Sequence, residues 1–334
     1  LEPQFAGLRR TVDEAARARL LALLGQLHSH LDAFARILKE DRSGTLLVKA
    51  RQDAGEVIRE LDNFAGFQPQ PLGRWLAALA KDSANIVSAN QYARLNELWN
   101  GLWADEVLPF CRQAIAGRYP LDPDSPRWVT LDDFGEFFGP GGRMDTFFQD
   151  RLKEFVDTSQ RPWRWYPQQG LEQPAISAEA LRQFQRADAV RQAFFADGGK
   201  RPAVRFALKP YEASPDVKKV VLSLGSQQID YSHDNVPPRP LQWPDPGDTG
   251  EVSIAFELFG AGLAPRRSMD GPWAWFRLLE QAELRPLGNT QQYRVVFRVN
   301  ASEVEYELRP SSVFNPFDLL ISNELARFSC PGRL

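Results

Sequence analysis

The chain is poor in cysteine, poor in histidine and free of long apolar runs, and each shortage closes off a class of protein. Its two cysteines, Cys111 and Cys330, stand far apart among 334 residues. A disulfide framework or a structural zinc site needs more of them at closer spacing. Two readings stay open: a pair of buried small hydrophobes, or one bridge if the compartment is oxidising. Of the three histidines, His28 and His30 are two apart and on a helix point in widely different directions, so they do not share a metal. His233 directly follows Ser232, and neighbours on a strand face opposite sides, which is wrong for a serine triad. No G-x-S-x-G nucleophile elbow occurs. No window approaches about eighteen uninterrupted apolar residues, and the first thirty lack the pattern of an export signal. Charge of one sign is missing too: Lys and Arg total 40 against 43 Asp and Glu, a net of -3. That balance provides no field to gather nucleic acid or to press the chain against anionic lipid.

What is present is the composition of a globular protein, 43% hydrophobic and 25% charged, in a chain long enough for two cores. The start at Leu1 rather than methionine suggests a fragment or a processed product. Thr11-Val12-Asp13-Glu14 fits a capping box, and Leu20, Leu23, Leu24, Leu27, Leu31, Phe34 and Leu38 continue one apolar stripe to about Glu40. Further helical patterns cover about 46–64, 71–87 and 90–116, the last divided or kinked at Pro109. After Gly198-Gly199 the period changes to two: Val204, Phe206, Leu208; Val220, Leu222, Leu224; Val252, Ile254, Phe256, Leu258; Val295, Phe297, Val299; Val304, Tyr306, Leu308. Such alternation buries one side of each strand. Gly225-Ser226 and Asn300-Ala301-Ser302 sit where hairpin turns are wanted, and helices are expected over Pro272–Leu284 and Pro316–Phe328. The expected fold is α+β: a helical domain over 1–198, then an antiparallel β-sandwich-like domain with short helices over 199–334.

The stretch LDDFGEFFGPGGRMDTFF, Leu131 to Phe148, crowds acids and glycines among five phenylalanines. Gly139-Pro140-Gly141-Gly142 is followed by Arg143 and Met144, without the lysine and hydroxyl of a P-loop. Asp132, Asp133, Glu136 and Asp145 could pair for acid–base work, but the first two fall in the opening turn of a helix capped by Thr130, where acids complement the dipole. Phe134, Phe137 and Phe138 mark one helix face, Phe147, Phe148, Leu152 and Phe155 another, so a helical hairpin wedged into a core is the favoured reading. Trp163, Trp165, Trp243, Trp273 and Trp275 could form a sugar-stacking platform, but aromatics at such spacing more often fill a core or a domain interface.

The block from Gly117-Arg118-Tyr119-Pro120 through Trp165, followed by Leu241-Gln242-Trp243-Pro244, Gly271-Pro272-Trp273, Asn315-Pro316-Phe317 and Phe328-Ser329-Cys330-Pro331, resembles the IcmF/TssM family of type VI secretion systems. Arg118, Tyr119, Pro120, Phe134, Phe137, Phe138, Gly141, Phe147, Phe148 and Trp273 carry that signature. The resemblance implies a non-enzymatic, periplasmic scaffold with no cofactor or metal, anchored in the inner membrane through parts beyond this chain. It implies partners as well: the outer-membrane lipoprotein TssJ, TssL and further TssM copies. Two departures stand out. Asp245 occupies a place where the family usually has glycine, and His233-Asp234-Asn235 stands for the usual His-Gly-Pro. The proline-rich 231–247 segment, read as an exposed loop, suggests Tyr231, His233 and Trp243 as partner-binding anchors. The rival reading is a peptidoglycan- or carbohydrate-binding module or hydrolase, which as an enzyme needs a convergent acid, base or metal set.

Overall fold

A computed structural model describes residues 14–41, 45–166, 176–247, 250–260, 264–288 and 291–334; Thr11–Asp13 of the expected capping box lie outside them. The chain divides into two compact units. One comprises residues up to Ala104, Phe155–Ala178 and Arg333–Leu334; the other comprises Asp105–Glu154 and Glu179–Gly332. The boundary therefore does not fall at 198, as periodicity suggested. The texture does change there, the last long helix ending at Phe194 and the first long strand starting at Val204, but much of the helical half packs into the same unit as the sheets.

The first unit is built on helices α1 (Glu14–Glu40), α2 (Thr45–Gly66) and α3 (Leu72–Leu102). Leu23, Leu27 and Phe34 of α1 are buried, as are Leu47, Ala54, Ile58 and Leu61 of α2. Buried Asp41 accepts the Leu47 amide at 2.9 Å, satisfying one of the donors that a helix start leaves open. Helix α3 is one piece where two were expected. Ser88, Asn90 and Gln91 interrupt the apolar stripe, but none breaks a helix, and no proline or glycine occurs from Arg74 to Asn100. Beyond it the chain widens into π-helical turns at Trp103–Val107 and Cys111–Ile115, with Pro109 in the short helical piece between them. Two short strands, β1 (Val156–Asp157) and β2 (Arg164–Trp165), pair in this unit, and the Phe155 ring meets Trp99 edge-on at 5.3 Å.

The second unit begins with α4 (Leu131–Phe138), α5 (Arg143–Phe147) and α6 (Ala178–Phe194). Its strands are β3 (Val204–Ala213), β4 (Val217–Leu224), β5 (Gln227–Tyr231), β6 (Arg239–Trp243), β7 (Glu251–Leu258) and β8 (Arg266–Asp270). They continue with β9 (Glu283–Pro286), β10 (Tyr293–Val299) and β11 (Ser302–Pro310). Helices α7 (Ala274–Glu280) and α8 (Pro316–Ile321) are both shorter than expected. Five strands form one antiparallel sheet in the order β6-β3-β11-β10-β9, and four form another, β5-β4-β7-β8. The hairpins turn where predicted, at Gly225-Ser226 and Asn300-Ala301, with Gly225 and Asn300 at φ 57 and 58.

Each sheet buries alternate residues, so that Phe206, Leu208, Val304, Tyr306 and Leu308 of one and Val220, Leu222, Ile254 and Phe256 of the other are all almost wholly inaccessible. At about 25 cal/mol per Å2, these faces supply the main driving force of the unit. The Tyr231 hydroxyl donates to the Tyr211 carbonyl of the facing sheet at 3.3 Å. Along one side the Gln227 amide makes two hydrogen bonds with the Gln242 backbone, 2.7 and 2.8 Å, strapping edge strand β5 to edge strand β6. On the other side α7 sends Trp275 inward to stack on Phe206, 5.3 Å between ring centres. Cys111 and Cys330 form a disulfide, Cα atoms 6.2 Å apart; of the two readings that the sequence left open, the bridge is the one found. It closes a loop of 219 residues in sequence separation, worth roughly 5 kcal/mol on the chain-entropy account.

Candidate interaction surface

The signature residues build the end of the sandwich from which the helices spring. Residues 117–130 form a closed loop: the Tyr119 amide donates to the Arg127 carbonyl at 2.8 Å and the Val129 amide to the Tyr119 carbonyl at 2.9 Å. Arg118 donates to the Gln113 carbonyl at 3.1 Å, and Pro120 is buried. The Arg277 guanidinium lies 4.0 Å over the fully buried Tyr119 ring and donates to the Ser125 carbonyl at 2.5 Å, pinning the loop to α7. Trp273 donates its indole N–H to the Val129 carbonyl at 2.7 Å. Around it stand Phe134 at 5.0 Å, Trp243 at 4.8 Å and Phe276 at 5.7 Å, with Phe194 touching all four of these rings. Phe137 and Phe138 both meet Phe328, and Phe147 stacks on Phe184; Phe148, also buried, lies 6.1 Å from Phe184.

The glycine turn and the acids of this stretch are consumed by packing. Gly141 takes φ 69 and donates its amide to the Asp145 carboxylate at 2.9 Å, so a carboxylate already sits where a phosphate would have to bind. A side chain on Gly135 would meet the Lys200 carbonyl at 2.2 Å. Thr130 and Asp133 cap α4 as predicted, the Asp133 amide donating to the Thr130 hydroxyl at 3.0 Å. Asp132 pairs with Arg201 and Glu136 with Arg143. Arg143, passed over in the sequence, is the keystone: it also donates to the Glu106 carbonyl at 2.6 Å and lies 4.4 Å over the Phe110 ring.

Of the three suggested anchors the structure exposes one. Trp243 is 4% exposed, donates its N–H to the Pro272 carbonyl at 2.9 Å and belongs to the aromatic hub. Tyr231 is 6% exposed. The 231–247 segment is not one loop, because 239–243 is strand β6, paired with β3; Pro240 is tolerated there since β6 is an edge strand. His233 does stand on the surface, in the left-handed region at φ 62, with Nε2–H donating to the Val217 carbonyl at 2.6 Å. It shares this end of the sandwich, opposite the hub, with Phe259 (64% exposed) and Tyr211 (56% exposed), the latter beneath the Arg294 guanidinium at 3.7 Å. The loops here are tied together: the Phe259 amide donates to the Asp216 carbonyl, and Ser214 and Glu303 exchange hydrogen bonds of 2.9 and 3.0 Å. Tyr211 and Phe259 went unread because a lone exposed ring leaves no periodic mark. Among the described residues no group of three His, Cys, Asp or Glu side chains is placed to hold a metal, and no helix is long and apolar enough to cross a membrane.

Residues 206–312, which span most of both sheets, match the family model described as Type VI secretion protein IcmF C2-like domain. Over 256 residues the chain is 38% identical to the type VI secretion system component TssM1 of Pseudomonas aeruginosa, an alignment covering 77% of this chain and 23% of that protein. The chain belongs to the IcmF/TssM family. It spans under a quarter of that relative's length. In fold it is similar to the T6SS protein TssM C-terminal domain from EAEC, with a TM-score of 0.63 and 20% identity over 72% of this chain and 98% of that one. A chain of a type VI secretion system membrane core complex aligns at a TM-score of 0.70 and 17% identity, over 98% of this chain and 69% of that one.

The departure from the IcmF/TssM pattern at Asp245 has a local cause. Its carboxylate accepts the Ser226 amide and hydroxyl at 3.0 and 2.8 Å, the Gly247 amide at 3.1 Å and the Gln227 side chain at 3.3 Å. It clasps the β4–β5 turn. Burial pushes the Asp245 pKa up, but the hydrogen bonds from Ser226, Gly247 and Gln227 together bring it below the ordinary aspartate value.

Proposed function

We propose that this chain is a non-enzymatic scaffold of a type VI secretion membrane complex, working in the periplasm, and that the exposed end of its sandwich binds the outer-membrane lipoprotein TssJ. Further TssM copies and TssL complete the set of partners. The observation that carries the reading is the exposure of Tyr211 near the end of β3, and of His233 and Phe259 on hydrogen-bonded loops, at the sandwich end opposite the aromatic hub. A rigid sheet presents such loops with little ordering cost, and aromatic side chains are what interfaces favour. The Cys111–Cys330 bridge supports an oxidising compartment. The acids that might have done chemistry at 132–145 cap, pair or close a turn, which supports a structural role.

Calorimetric titration with the soluble domain of the cognate lipoprotein tests this. Saturable binding with a negative heat-capacity change is expected, at least tenfold weaker for Phe259→Asp while the melting temperature holds. Absence of binding, or equal binding by the variant, sinks the assignment of partner and surface respectively.

A further inference from the structure

A cavity of about 260 Å3 opens in the second unit where the end of α6, the start of β3 and the Ser311–Pro316 segment meet. Nothing in the scaffold reading uses it. Its two ionic groups, Asp197 and Arg205, pair with each other at 2.8 Å. The lining is therefore neutral toward an ion, yet it offers carboxylate acceptors and guanidinium donors side by side. Ser311 and Ser312 add two hydroxyls, and Phe314, 55% exposed, offers a flat apolar face. Alanines such as Ala203 keep the walls low.

These features select a ligand class by elimination. An anion or a cation would compete with a pair that is already made. A purely apolar ligand would strip water from the pair and the hydroxyls and return no hydrogen bonds, which costs free energy for every group left unpaired. A neutral polyhydroxylated ring meets both demands: its hydroxyls take donors and acceptors together, while its C–H face lies on the phenyl ring. The volume sits just below the roughly 300 Å3 at which pockets for drug-sized molecules begin, room for one ring rather than a longer chain. We propose that this cavity binds a single neutral hexopyranose unit, such as one residue of a glycan strand.

The test is titration of the chain with methyl glucopyranoside and N-acetylglucosamine, followed by saturation-transfer NMR and calorimetry, with arginine, acetate and leucine as ionic and apolar controls. Weak but saturable binding of at least one sugar is expected. Phe314→Ala and Arg205→Gln should each weaken it at least tenfold without moving the melting temperature, since both side chains are more exposed than buried. No saturation by either sugar, undiminished binding by Phe314→Ala, or tighter binding of a control overturns the proposal.

Discussion

The two ends of the sandwich use the same residue types to opposite effect. At the hub end, Trp243, Trp273, Phe134, Phe194 and Phe276 form a cluster in which each ring lies within about 6 Å of at least two others, and both indole N–H groups are spent on backbone carbonyls. At the other end Tyr211 and Phe259 stand more than half exposed. Aromatic content in a sequence therefore says nothing about which rings are buried; that depends on packing and, for Trp and Tyr, on whether the N–H or O–H finds a partner inside.

The sharpest way to break this contrast is to truncate the hub. Trp273→Ala should cost about 3–5 kcal/mol, the range for buried aromatic truncations, read as a fall in the denaturation midpoint; an unchanged midpoint would remove the hub as the organiser of this end. Next comes Cys330→Ser, expected to cost about 2–5 kcal/mol and to make the melting temperature insensitive to reductant, whereas the parent loses stability when reduced. Arg143→Ala removes an ion pair, a bond to the Glu106 carbonyl and the contact with Phe110. A loss of about 1–3 kcal/mol is expected, well above the median surface ion pair, and Arg143→Lys should restore little of it, since an ammonium lacks the planar fork.

Asp245→Asn should have a smaller effect, and one that depends on pH. Because the folded-state pKa lies below the unfolded one, the carboxylate's contribution is fully present above the unfolded value of about 4 and is lost as pH falls through the folded value. The parent's advantage over the variant should therefore shrink on acidification below about pH 4; a pH-independent difference would show that charge plays no part in the clasp. Smallest of all for stability is Phe259→Asp, expected to leave the melting temperature within about half a kcal/mol of the parent while weakening lipoprotein binding. A large destabilisation would mean that the two ends differ less than their burial says.

How much was legible follows the same physics. The five strands read from alternation, β3, β4, β7, β10 and β11, are the interior strands of the two sheets; β5, β6, β8 and β9, which the sequence did not reveal, are the four edges. An interior strand is held on both sides and must bury one full face, so it writes a period of two. An edge strand such as Arg266–Asp270 buries nothing completely and leaves no such pattern. The capped helix at 131–138, the glycine turn and the phenylalanine wedge were readable because their causes are local in sequence. Arg143 was not, since the carbonyl it donates to, that of Glu106, lies 37 residues away.

By itself the sequence determined the local grammar: which stretches are helix, which interior strands alternate, where turns and caps fall, and a family signature long enough to be recognised. Only the tertiary structure decided that Trp243 and Tyr231 face inward, that Tyr211 and Phe259 face out, that the cysteines meet, and that the compact units part at Ala104 rather than near 198. The reason is physical. Helix and strand propensities act over a few residues, whereas burial, edge pairing and disulfide closure depend on what distant segments bring to the same place.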